Sequence, residues 1–221
     1  MGCKAENMTI EILKLISFGE LEEKLRQVPL MKKDAQGKEI LIYEHANSQL
    51  RTFSTQEVNP TSFYLLGRNL AFQRELREHL LKIYDIDVLN LSGALELKNG
   101  NEIWTLTPPI IESTQRTVQY QPQAGEISHP GNCRISIPII NDGLHRVYLA
   151  WQTTGTFKGI HISGALEEYP FYAHPNEWEK IKVLDELPKT KEEKKLYSRE
   201  DCYALYRNFG ILGCGAPRHT S

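Results

Sequence analysis

Apolar residues along the chain change their spacing more than once. In residues 8–27, MTIEILKLISFGELEEKLRQ, Ile10, Leu13, Ile16, Leu21 and Leu25 fall at helical intervals with charges between them, which predicts an amphipathic helix broken near Gly19. In residues 63–81, FYLLGRNLAFQRELREHLL, Leu66, Leu70, Leu76 and Leu80 repeat the pattern, and Asn59-Pro60-Thr61-Ser62 supplies turn and capping residues ahead of them. A second helix is expected there. Residues 1–84 therefore read as a helical N-terminal region.

After Tyr84 the pattern shifts toward strands. IDVLNLSGALELKNGNEIWTLT carries β-branched and aromatic residues on both sides of Asn99-Gly100, a favoured hairpin turn. Pro108-Pro109 breaks the second strand, and residues 113–132, rich in Gln, Thr, Pro and Gly, read as an exposed loop. Strands are expected again at RISIPII (134–140) and FKGIHISGA (157–165). The order strand, polar loop, helix, strand is that of a unit with a parallel crossover, so residues 85–188 are expected to form an α/β domain. Residues 189–221 read as a charged linker, the Lys and Glu tract of 189–195, and a C-terminal helix from Ser198 to Phe209 capped by Ser198. SGALE occurs at Ser92 and again at Ser163, but nothing else aligns at that offset, and it is taken as chance.

The segment between the two later strands is the informative one. IPIINDGLHRVYLA, residues 137–150, is apolar apart from Asn141-Asp142-Gly143 and His145-Arg146. As a strand, residues 144–152 have no clean polar face. As a helix, Leu144, Val147, Tyr148 and Trp151 form one stripe, ending near Thr154-Gly155. A strand, a tight Asp-Gly turn and a helix start concentrate backbone N–H groups and the positive end of the helix dipole, which favour an anion. Gly143 permits close backbone approach, Arg146 is suited to a bidentate phosphate contact, and His145 to phosphate binding or proton transfer. A plain turn that binds nothing fits the same residues, since Asp-Gly is a common turn dipeptide.

Charge and cysteine content narrow the classes. With 26 Lys plus Arg against 28 Asp plus Glu, the formal charge is −2, so no overall basic field points to nucleic acid or an anionic membrane. No apolar run approaches the ~18 residues needed to span a bilayer, so no membrane segment is expected. Met1-Gly2-Cys3 lacks the Ser or Thr at position 6 that myristoylation wants, Glu6 standing there. Cys3, Cys133, Cys202 and Cys214 show no C-x-x-C spacing, which suits reduced thiols and a cytoplasmic location. Cys133, opening an apolar strand, is expected in the core. Cys202, Cys214 and His219 fit no standard zinc pattern. His161 suits a satisfied sheet histidine or a second pocket residue equally. His174 and Trp178, with Tyr169, Phe171 and Tyr172, read as a packed aromatic loop, a group also able to stack on a base.

IINDGLHRVYLA resembles the D-G-x-H-R signature of the superfamily that joins the ParB N-terminal domain, sulfiredoxin and the DGQHR-type proteins of bacterial defence and DNA-modification systems. The resemblance covers about residues 103–170 and is specific only at the short motif. It implies a mixed sheet with a ParB/sulfiredoxin-like core. It also implies a cytoplasmic nucleotide-binding protein whose phosphates, of ATP or CTP with Mg²⁺, are contacted by Asp142, Gly143, His145 and Arg146. Kinases of this fold place a glutamate base upstream, which makes Glu112 the candidate base or metal ligand and His145 its catalytic partner, in an NTPase, nuclease or phosphotransferase. Leu144 stands where sulfiredoxin needs its reactive cysteine, and no basic recognition helix follows as in ParB. The alternative is a non-catalytic nucleotide-sensing or partner-binding module.

Overall fold

The computed structural model describes residues 9–120, 131–190 and 203–213. Its first element is a strand, β1 (Ile10–Ile16), followed by helix α1 (Phe18–Leu25). The single helix expected over 8–27 is therefore split, and the break falls at Ser17 rather than Gly19. Ser17 closes a capping box: its Oγ accepts from the Glu20 N–H at 3.2 Å while the Glu20 carboxylate accepts from the Ser17 N–H at 2.9 Å. Those contacts and Lys14 hold the Glu20 carboxyl down at about 2. β-branched Ile10, Ile12 and Ile16 pair instead with a partner strand, which leaves Leu13 and Leu15 exposed.

Four short strands follow before the second helix: β2 (Pro29–Lys33), β3 (Glu39–Leu41), β4 (Asn47–Ser54) and β5 (Tyr64–Leu66). Helix α2 (Gly67–Tyr84) begins four residues later than the periodicity of 63–81 suggests. The hairpin of β6 (Ala94–Asn99) and β7 (Glu102–Leu106) forms as expected, with Gly100-Asn101 at its tip and Gly100 at φ +59°. The N-terminal region is thus mixed rather than helical. It is also not separate, because β1 pairs with β6, and β4 pairs along its whole length with a strand from the second half of the chain.

That second half is built on β8 (Ile110–Tyr120), β9 (Gly131–Asp142), helix α3 (Leu144–Gln152) and β10 (Thr156–Ser163), with β11 (Lys182–Leu184) pairing to β5. The central sheet has the order β4-β10-β8-β9. β8 and β10 run parallel, whereas β8–β9 and β4–β10 are antiparallel. The expected crossover from β9 through α3 to β10 therefore joins antiparallel strands, and the parallel pair is β8 with β10. The exposed loop expected from 113 is a strand as far as Tyr120, since Thr, Val and Gln alternate well on a solvated ribbon. Pro138 sits in β9, at the sheet edge where a missing N–H is tolerated, and its carbonyl accepts from the Asn59 N–H at 2.9 Å. Cys133, on the outer part of β9, is exposed rather than in the core.

The sheet separates two apolar layers. On one face Phe53, Ile111 and Phe157 pack with Leu76 and Leu80 of α2 and Val147 and Leu149 of α3. On the other, Ile110, Ile160 and Ile162 pack with Leu21 and Leu25 of α1, Tyr43 and Phe209. The residues 203–213 form a turn and a short 3₁₀ helix at Phe209–Leu212, with no α-helix, so the described part of the expected C-terminal helix is absent. The rest of that prediction, with the cysteines at 3, 202 and 214, His219 and the first three residues, lies outside the described residues. This segment straps onto β2 through Met31 N to Tyr206 O and Lys32 N to Ala204 O, both 3.0 Å, and onto β7 through Thr105 N to Gly213 O, also 3.0 Å.

The two SGALE copies differ in role. A Cβ on Gly93 would lie 2.2 Å from the Ile16 carbonyl oxygen, while Gly164 lies in open space at φ +76°. Gly93→Ala is expected to cost at least about 2 kcal/mol, because a backbone contact must shift. Gly100→Ala, strained only by its positive φ, should cost about 1 kcal/mol. Urea unfolding of both variants checks the ranking; a Gly93 variant no weaker than the Gly100 variant would refute the contact.

Candidate functional site

Helix α3 occupies Leu144–Gln152, the residues that its apolar stripe picks out. Its N-cap is Gly143 at φ 81°, in the left-handed region, and no side chain caps this end. The glycine is demanded by packing as well as by φ: a Cβ there would stand 3.0 Å from Pro109 Cα and 3.1 Å from Arg146 Nη2. Pro108-Pro109, which ends β7, thus also fixes the turn that starts α3.

The turn opens into a cleft of about 980 Å³. Asn141, Asp142, Gly143, Leu144, His145 and Arg146 all line it, so four of the five predicted site residues meet in one place. Facing them are Arg68, Asn69, Phe72 and Gln73 from the start of α2, with Trp104 to Thr107 from β7 and its end. Arg146 is 5% exposed. Its Nη1 donates to the Thr107 carbonyl, and its Nη2 lies 3.9 Å from Asp142 Oδ2. Arg68 stands exposed at the rim. Burial, with the Arg146 charge beside it, lowers the His145 ring to about 4, so it is neutral at pH 7.

Glu112 is elsewhere. It lines a separate cavity of about 250 Å³, on the sheet face of Ile110 rather than that of Ile111. Its carboxylate forms a bidentate pair with Arg207, Oε1 to Nη2 at 2.6 Å and Oε2 to Nε at 3.0 Å, and both side chains are almost wholly buried. Tyr43 Oη donates to Oε2 at 2.5 Å, and Asn141 Nδ2 donates to Oε2 at 2.9 Å and to Tyr43 Oη at 2.7 Å. Arg207 spends its remaining donors on the carbonyls of Leu205, Pro170 and Tyr169. Such a pair is compatible with burial because every hydrogen-bonding group is satisfied. The buried Tyr43 hydroxyl, desolvated and beside the Glu112 charge, is pushed well above its usual pKa.

The other titratable candidates divide. His161 is a sheet histidine, its ring held by Ser113 Oγ at 2.7 Å and Gln49 Nε2 at 3.2 Å. His174 Nδ1 meets Arg116 Nη2 at 2.5 Å. The aromatic loop splits: Tyr172 reaches the cleft, whereas Trp178 stacks on Trp151 at 6.0 Å, behind α3. Sequence reasoning missed Arg207 and Tyr43. A lone arginine within the apolar and aromatic run ALYRNFGIL was the available signal.

A family model described as the ParB CE domain matches residues 20–182. The chain belongs to the ParB CE domain family. The match begins in α1, so this ParB CE domain takes in most of the N-terminal region as well as the cleft. No curated protein and no solved structure matches the chain.

Two outcomes follow for this domain. Glu112→Gln leaves the Arg207 charge buried without its counter-ion and is expected to cost about 3–5 kcal/mol of stability, read by denaturant unfolding. His145 is depressed from 6.5 to about 4 in the fold, so the unfolded chain takes up its proton first as pH falls. Its contribution is complete above pH 6.5 and is lost progressively toward pH 4, by up to about 3 kcal/mol. His145→Gln should flatten stability against pH across that window; an unchanged profile would show that another group governs it.

Proposed function

We propose that this ParB CE domain binds a nucleoside triphosphate in the cleft, with the phosphates at the Gly143 turn. The observation that carries the reading is the convergence of an uncapped helix start, Arg146 and Arg68 on one cavity large enough for a nucleotide. Backbone N–H groups and the helix dipole favour anionic oxygens there, and the arginines supply charge-assisted donors. Asp142, 35% exposed in its side chain, suits a Mg²⁺ that completes its coordination with phosphate oxygens and water. That ion typically takes only one or two protein carboxylates.

Binding without turnover is the form of this proposal that the geometry favours. Glu112, the expected base, is committed to Arg207 outside the cleft. A His145 that titrates near 4 is a weak base, where general-base catalysis works best near the operating pH. Glu112 acts instead as a positioning residue, holding Asn141 and through it the Asp142-Gly143 turn.

The check is a thermal shift of the full chain with ATP or CTP and Mg²⁺, paired with a phosphate-release assay. Saturating nucleotide should raise the melting temperature by several degrees, since about 100-fold excess over Kd adds about 2.7 kcal/mol. Arg68→Glu, at an exposed position, should remove most of that shift without unfolding the protein, and phosphate release should stay at background. A shift that survives Arg68→Glu would move the phosphates away from this cleft.

A further inference from the structure

The three-stranded sheet β1-β6-β7 has two edges, and they are treated differently. The β7 edge meets the C-terminal strap, through Thr105 N to Gly213 O at 3.0 Å. The β1 edge pairs with β6 on one side and, among the described residues, with no strand on the other. Along it Leu13 and Leu15 are 44% and 68% exposed. The end of α2 abuts its start, the partly exposed Tyr84 donating to the Ile10 carbonyl at 3.0 Å. A seven-residue edge with apolar side chains in water is a template for a further strand.

The order of residues in β1 says which strand fits. Ile10 to Leu15 read apolar, acidic, apolar, apolar, basic, apolar. Reversed, the same six residues present a base where the original has its acid. An antiparallel copy set with Glu11 opposite Lys14 also sets Ile10 opposite Leu15 and Ile12 opposite Leu13. Directly opposed residues share a face and touch, so every apolar residue then meets an apolar one and each charge meets its opposite, twice by symmetry. Both charged side chains are available for this: Glu11 is 59% and Lys14 57% exposed, and their existing partners, Lys98 at 3.8 Å and Glu20 at 3.1 Å, are surface contacts that contribute little.

We propose that two copies of this chain associate through β1, antiparallel and about a two-fold axis, joining their three-stranded sheets into one of six strands. A lysine and a bulge are common guards of an open edge, and β1 has both, its register shifting between Ile12 and Lys14. Here the lysine faces a glutamate of the second copy, so the guard rejects strands of other charge pattern and admits its own.

Sedimentation velocity of the full chain over a range of concentrations tests this, with circular dichroism confirming that each variant is folded. The wild type should pass from monomer to dimer as concentration rises. Glu11→Lys and Lys14→Glu, both at exposed positions, each oppose like charges twice and should weaken self-association at least about tenfold. Mixed together, the two variants restore both opposite-charge pairs and should form a heterodimer as tightly as the wild type forms its dimer. A wild type that stays monomeric at every concentration would overturn the proposal and leave the edge to another occupant. A dimer untouched by either substitution would place the interface on another face, and variants that lose the dimer but fail to recover it on mixing would refute the register.

Discussion

The ion pair between Glu112 and Arg207 organises this structure. It joins the middle of the central sheet to a segment 95 residues later, and both charges lie beyond the reach of water. A carboxylate that stays charged in that position needs its partner, so the strap of residues 203–213 belongs to the core as much as any strand does. Tyr43 and Asn141 complete the shell around Glu112, tying the early β3–β4 region and the end of β9 to the same point. Four distant stretches of chain are thereby brought to one place.

From that point the geometry runs outward to the cleft. Asn141 is held by the buried pair on one side, and on the other it leads directly into Asp142-Gly143 and the start of α3. Pro109 closes against Gly143, and Arg146 reaches back to the Thr107 carbonyl. The turn is thus fixed from three directions, by a proline, a buried arginine and an amide anchored in the core. A rigid turn of this sort presents its N–H groups in one orientation, which is the condition for recognising an anion without reorganisation.

Much of this was legible in the residues. The stripe Leu144, Val147, Tyr148 and Trp151 gives α3 to its ends, because a buried helix leaves one periodicity and no competing alternation. The Asn99-Gly100 signal gives the β6–β7 hairpin, displaced by one position at the tip. β1 was not legible: Ile10, Leu13 and Ile16 carry helical spacing, yet pairing with β6 overrides it and leaves Leu13 and Leu15 in solvent. Pairing partners are also why β8 and β10, rather than β9 and β10, run parallel; local pattern does not state which strands become neighbours. For the cleft, the motif brings together Asp142, Gly143, His145 and Arg146, but Gln73 on α2 bears no local mark, and Glu112 lies outside the cleft in its buried pair with Arg207.

The strap has a consequence for how the chain comes into being. A nascent chain emerges in order, and the sheet strands β4 to β10 are complete by Ser163. Until Arg207 follows, Glu112 is a carboxylate with no cation to meet it, and desolvating it alone would be strongly unfavourable. The sheet strands all lie earlier in the chain, and the cation that satisfies Glu112 is supplied from outside them. The core around Glu112 is thus completed by a residue that lies well beyond the sheet strands in the sequence.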